Sequence, residues 1–119
     1  MQLVKIINLN EILKTIIDNI SEVDIVTKFN FLGIMKKAEP YIQNFESVRS
    51  SLIEKYGEKN EDGQFFIGKE SDNYESFIHE FEKLLNQEVK DFDVKIDKDD
   101  VFNKGIPSEY LVSLYDFIG

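Results

Sequence analysis

Residues 26–57 read VTKFNFLGIMKKAEPYIQNFESVRSSLIEKYG, and their reading decides the fold. Val26, Phe29, Leu32, Met35 and Ala38 recur at three-residue steps. Tyr41, Ile42, Phe45, Val48, Leu52, Ile53 and Tyr56 continue at mixed steps of three and four. That spacing predicts an amphipathic helix. Asp24 is placed to cap its start and Gly57 to end it. Pro40 falls in the middle, where it removes a backbone donor and clashes with the carbonyl four residues back. The expectation is either one kinked helix or two helices meeting near Glu39. Unbroken, it would reach about 45 Å, which suits a protruding helix or a dimer seam. Phe31 and Ile34 lie off the main stripe and should leave apolar area exposed. With Phe45 and Leu52 they are the expected oligomer contacts.

Working outward, Leu3-Val4-Lys5-Ile6-Ile7 is a short β-branched run and reads as a strand. Asn8 and Glu11 have the form of a weak capping pair for a first helix over residues 9–20. C-terminal to the long helix, residues 58–63 end in Asp62-Gly63, a turn signal. Residues 64–67 read as a short strand. A third helix should start at Ser71 or Asp72 and run to about Asn86, with Tyr74, Phe77, Ile78, Phe81, Leu84 and Leu85 inward. In residues 89–96, Phe92, Val94 and Ile96 share one face and Asp91, Asp93 and Lys95 the other, as in a half-buried strand. A charged loop over 97–104 follows. Pro107 opens a last helix whose Tyr110, Leu111, Leu114, Tyr115 and Ile118 point inward. The expected fold is α+β and mostly helical. A small antiparallel or mixed sheet from residues 3–7, 64–67 and 89–96 would pack with the helices in a single domain.

The whole chain has 119 residues, 42% of them apolar, enough for one folded core and too many for a disordered chain. No apolar run approaches the ~20 residues of a membrane span, and no signal peptide is recognisable at the start. The net charge of −9 disfavours nucleic acid and anionic membrane as direct partners. Without cysteine there is no disulfide, thiolate zinc site or cysteine nucleophile. The charge is uneven. Residues 1–57 carry seven acids and seven bases, whereas residues 58–100 carry fourteen acids and six bases. Such density serves solubility or a basic partner.

Chemical motifs fail one after another. Asp97, Asp99 and Asp100 suggest a calcium loop, but Val101 and Phe102 occupy the fifth and sixth positions, where an oxygen ligand and glycine are needed. No metal or cofactor is expected. His79, the one histidine, lies on a helix flank with no acid–base partner in view. The glycines are scattered and form no phosphate loop. Arg49, the one arginine, is set to pair with Glu46 three residues earlier.

The run Arg49-x-x-Leu52-Ile53-Glu54-Lys55-Tyr56-Gly57-Glu58-Lys59-Asn60-Glu61-x-Gly63 is followed by a Phe/Glu-rich helix ending Leu84-Leu85-Asn86-x-Glu88-Val89. Over residues 25–118 this resembles a family of small uncharacterised proteins from phages of Gram-positive bacteria. The resemblance implies a viral origin and a binding or assembly role, with no catalytic residues to transfer. The expected function is therefore a phage-encoded, non-enzymatic binding protein in the host cytoplasm. It would inhibit a host defence protein or another host enzyme. Asp91, Asp93, Asp97, Asp99 and Asp100 would contact a basic surface on a host or phage protein. One alternative is a virion-assembly or structural accessory protein that forms homo-oligomers through its long helix. Another is a ligand-sequestering protein whose Phe and Tyr side chains line a pocket.

Overall fold

The computed structural model describes all residues, 1–119. Its elements run α1 (Leu3–Asn19), α2 (Ile25–Tyr56), β1 (Glu58–Lys59), β2 (Phe65–Phe66), α3 (Tyr74–Leu85) and α4 (Ser108–Leu114). Two 3-10 turns cover Lys98–Asp100 and Tyr115–Phe117. The fold is α+β and mostly helical.

α2 is a single helix of 32 residues that continues through Pro40. At 1.5 Å per residue it is about 48 Å long, nearly the whole 50 Å long axis of the molecule. The Asp24 carboxylate accepts from the backbone N–H groups of Val26 and Thr27, both at 3.2 Å, so the first turn is capped as its sequence predicts. At the other end the Gly57 N–H closes on the Ile53 carbonyl at 2.7 Å. A Cβ at Gly57 would collide with the carbonyls of Phe66 and Ile53, so glycine lets the hairpin fold back against the helix end.

The face that α2 buries differs from the one expected. Its buried residues are Thr27, Phe31, Ala38 and Phe45, with Ile34, Met35, Tyr41 and Ile42 partly buried against the core. Val26, Phe29, Leu32 and Val48 are exposed. The reason is geometric. Each three-residue step advances 300°, so five residues at strict threes drift through about 240° of the helix surface. The stripe that starts at Val26 on the outside reaches the inside only at Ala38. Mixed steps of four and three, as in 27-31-34-38-41-45, hold one face.

The expected strand at residues 3–7 is the first turn and a half of α1. Leu3, Ile6, Leu9, Leu13 and Ile16 are all buried, and this continuous helical period outweighs a β-branched preference of a few tenths of a kcal/mol per residue. The Met1 ammonium donates to Glu88 Oε1 at 2.8 Å and to the carbonyls of Val89 and Phe92 at 3.1 and 3.0 Å. These bonds tie the start of α1 to the segment after α3.

The expected strand at 89–96 is extended but joins no ladder. Isolated bridges pair Gln2 with Glu88 and Ile96 with Ile118. Its alternation is still expressed in burial, since Phe92 and Ile96 lie in the core. The sheet reduces to the antiparallel pair β1–β2, with Glu58 opposite Phe66 and Lys59 opposite Phe65. In the C-terminal segment Leu114 and Phe117 are buried, while Tyr115, expected inward, is exposed. The α4 turn tightens to 3-10 after Leu114, which rotates Phe117 inward in its place.

One core of thirteen residues joins Ile6, Leu9, Leu13 and Ile16 of α1 to Phe31 and Ala38 of α2 and to Phe92, Ile96, Val101, Ile106, Leu114 and Phe117 of the C-terminal third. A smaller aromatic cluster lies further along α2. There Phe81 packs on Phe77 and Phe45 at centroid distances of 5.6 and 5.9 Å.

Candidate protein-binding surface

The five aspartates singled out from the sequence fall into two groups along α2. Asp91 and Asp93 project from the extended stretch after α3, on either side of the buried Phe92. The Phe92 ring meets Tyr41 of α2 edge-on at 5.9 Å, which fixes the stretch against the helix. Asp91 and Asp93 then line a surface depression of about 290 Å³ with Lys37, Tyr41 and Val94.

The second group sits at the α2 N-terminus. The Asp97 carboxylate accepts from the Asp99 N–H at 2.9 Å and caps the 3-10 turn. The Asp100 carbonyl accepts from the Thr27 hydroxyl at 2.7 Å, the bond that makes a buried threonine tolerable inside α2. Next in the chain, the Lys104 carbonyl accepts from the Asp24 N–H at 2.8 Å. Gly105, at φ +82°, lies so close to the Glu22 carbonyl that a Cβ would collide with it. The loop is thus fastened to the α1–α2 turn. The Asp100 backbone thereby lies beside the first turn of α2. Ten residues of helix, about 15 Å, separate Thr27, beside Asp100, from Lys37, beside Asp91 and Asp93. A single partner can span that distance, but a single ion cannot.

Few of these charges are neutralised locally. Of the fourteen acids in residues 58–100, only Glu80 and Glu88 lie within 4 Å of a cation: Lys83 Nζ at 3.9 Å and the Met1 ammonium at 2.8 Å. Asp91, Asp93, Asp97 and Asp99 are exposed, and Asp100 is half-buried. Nowhere do three His, Asp or Glu side chains gather in a way that could hold a metal ion. His79 is exposed. Arg49 pairs with Glu46 at 3.7 Å on the α2 surface, the contact expected from their spacing.

The residues expected to join copies of the chain are placed differently. Phe31 is wholly buried and Phe45 nearly so, so neither is free to meet a partner, and the apolar area expected from Phe31 is absent. Ile34 and Leu52 are half-buried. The exposed apolar side chains of α2 are instead Ile25, Val26, Phe29 and Leu32 in its first turns and Val48 further along. Helical arithmetic would have found them, because Phe29 lies about 200° around the helix from Phe31. Tyr41 and Phe92 line the same surface depression, that of about 290 Å³ beside Asp91 and Asp93. The cavity of about 610 Å³ between α1 and the C-terminal segment has Phe117 as its one aromatic ring. No helix is long and apolar enough to cross a membrane. Set against known proteins, the chain matches no family model, no curated protein and no solved structure.

Proposed function

We propose that this chain is a non-enzymatic, phage-encoded binding protein that acts in the host cytoplasm on a protein with a basic surface. Inhibition of a host defence protein or another host enzyme is the form of action that this reading takes. The observation that carries it is the row of carboxylates without ion-pair partners. Asp91, Asp93, Asp97, Asp99 and Asp100 are held by Phe92, Thr27 and the 3-10 cap on the flank of one rigid helix. Charges carried on an anchored backbone steer a complementary partner with a smaller ordering cost than charges on a loose loop. The viral setting is supported by the resemblance of residues 25–118 to phage proteins.

Replacing the five aspartates together by asparagine tests this. Asparagine keeps the Asp97 cap, since it caps nearly as well as aspartate, so the fold should survive. Wild-type protein on a matrix should capture a basic protein from a Gram-positive lysate at about 50 mM salt and release it by about 500 mM. The variant should capture far less of it at the lower salt. Equal capture by the two proteins would reduce the carboxylates to a solvated surface.

A further inference from the structure

The face of α2 that points away from the core carries a run of large apolar side chains. Ile25, Val26, Phe29 and Leu32 are 80, 61, 75 and 47% exposed. Ile25, Phe29 and Leu32 stand at i, i+4 and i+7 and form one stripe. Phe31 and Ala38 already bury the opposite side, so the stripe is not a consequence of core packing. We infer that it is the interface for a second copy of this chain, with two α2 helices antiparallel about a two-fold axis at Phe29.

Area supports that occupant. At about 150–250 Å² for an aromatic side chain and somewhat less for an aliphatic one, the four exposures amount to roughly 500 Å². An interface of standard size covers about 800 Å² per partner, and homodimers make about 65% of it apolar, again close to 500 Å². The stripe is therefore of the size that a self-complementary dimer needs, with polar neighbours completing the rim.

Shape and charge set the orientation. With the axis at Phe29, residues equally far before and after it face each other across the dimer. Ile25 then meets Gly33 of the second copy, where nothing within 4 Å occupies the space of a side chain. The most exposed apolar knob thus finds a hole. Val26 meets Leu32, and Phe29 meets itself. Seven residues out, roughly 10 Å from the axis, Lys36 reaches past the first turn of the second copy's α2, on the side of the α1–α2 turn that carries Glu22, and both side chains are exposed. A parallel pairing would set Lys36 on Lys36, and like charges across an interface are unfavourable. This pairing uses the outward face of α2 and none of the five aspartates, so it and the capture of a basic protein can fail separately.

Sedimentation velocity on the full chain tests it, from the low to the high micromolar range. The wild type should pass from monomer to dimer. Phe29→Asp should weaken association at least tenfold, roughly the effect of losing a central hot spot, with its circular dichroism and melting temperature essentially kept. Lys36→Glu alone should weaken it, and Glu22→Lys with Lys36→Glu should restore it. A wild type that stays monomeric at several hundred micromolar overturns the proposal and leaves the stripe to a different protein. A dimer that survives Phe29→Asp overturns the interface. Failure of the double charge reversal to restore association overturns the antiparallel register.

Discussion

The two ends of α2 live in different surroundings. Its first half runs through a core fed from three directions: α1, the loop 97–106 and the C-terminal turn. Its second half is covered mainly by α3 and the β1–β2 hairpin, and between Phe45 and Phe77 not one residue is buried. The radius of gyration, 17.4 Å, shows the imbalance. A compact chain of this length would measure about 13.5 Å. One helix therefore serves as a core element at one end and as the spine of an arm at the other. Tertiary burial stabilises a helix more than propensity does, so the two halves should respond unequally to mutation.

Truncating Phe31 should show the core end at its strongest. The side chain is fully buried in the core shared with α1, and Phe31→Ala should cost about 4 kcal/mol in urea unfolding, as a cavity surrounded by packed neighbours. Phe45→Ala, at the start of the arm, should cost less, about 3 kcal/mol, because Phe77 and Phe81 can close in on the gap. An equal or larger loss would mean that the arm is as well packed as the core. At Arg49, one turn further out, the ion pair with Glu46 is solvated on both sides, and Arg49→Ala should change stability by no more than about 0.5 kcal/mol. A steeper effect at Arg49 than at Phe45 would erase the distinction between the two ends.

Much of this architecture is legible in residue spacing. The Asp24 cap, the Gly57 stop, the Asp62-Gly63 turn and the α3 stripe all act locally, and each is found where the sequence predicts it. What escapes is decided at a distance. Residues 3–7 have a strand composition, yet Leu3 and Ile6 continue the period of Leu9, Leu13 and Ile16, and only contact with α2 and the C-terminal third reveals which pattern governs. Residues 89–96 alternate as a strand should, but Met1 and Phe117 take their backbone bonds one at a time, so no ladder forms. The acidic residues were visible as a cluster. That Thr27 and Phe92 fix them in two groups along α2 was not, because both anchors are long-range. The outward stripe was hidden by an apolar residue at every third place, a pattern that looks like one face and winds around the helix.

An arm with no buried residue between Phe45 and Phe77 also sets a hierarchy of motion. Opening free energy follows the apolar area and the protected hydrogen bonds that a segment must give up. The hairpin and the last turns of α2 give up little, and the first half of α2 gives up the core. Backbone amides along this one unbroken helix should therefore exchange with solvent at graded rates, slowest around Phe31 to Ala38 and fastest beyond Val48. The arm can open and reclose many times in the life of a core that stays shut.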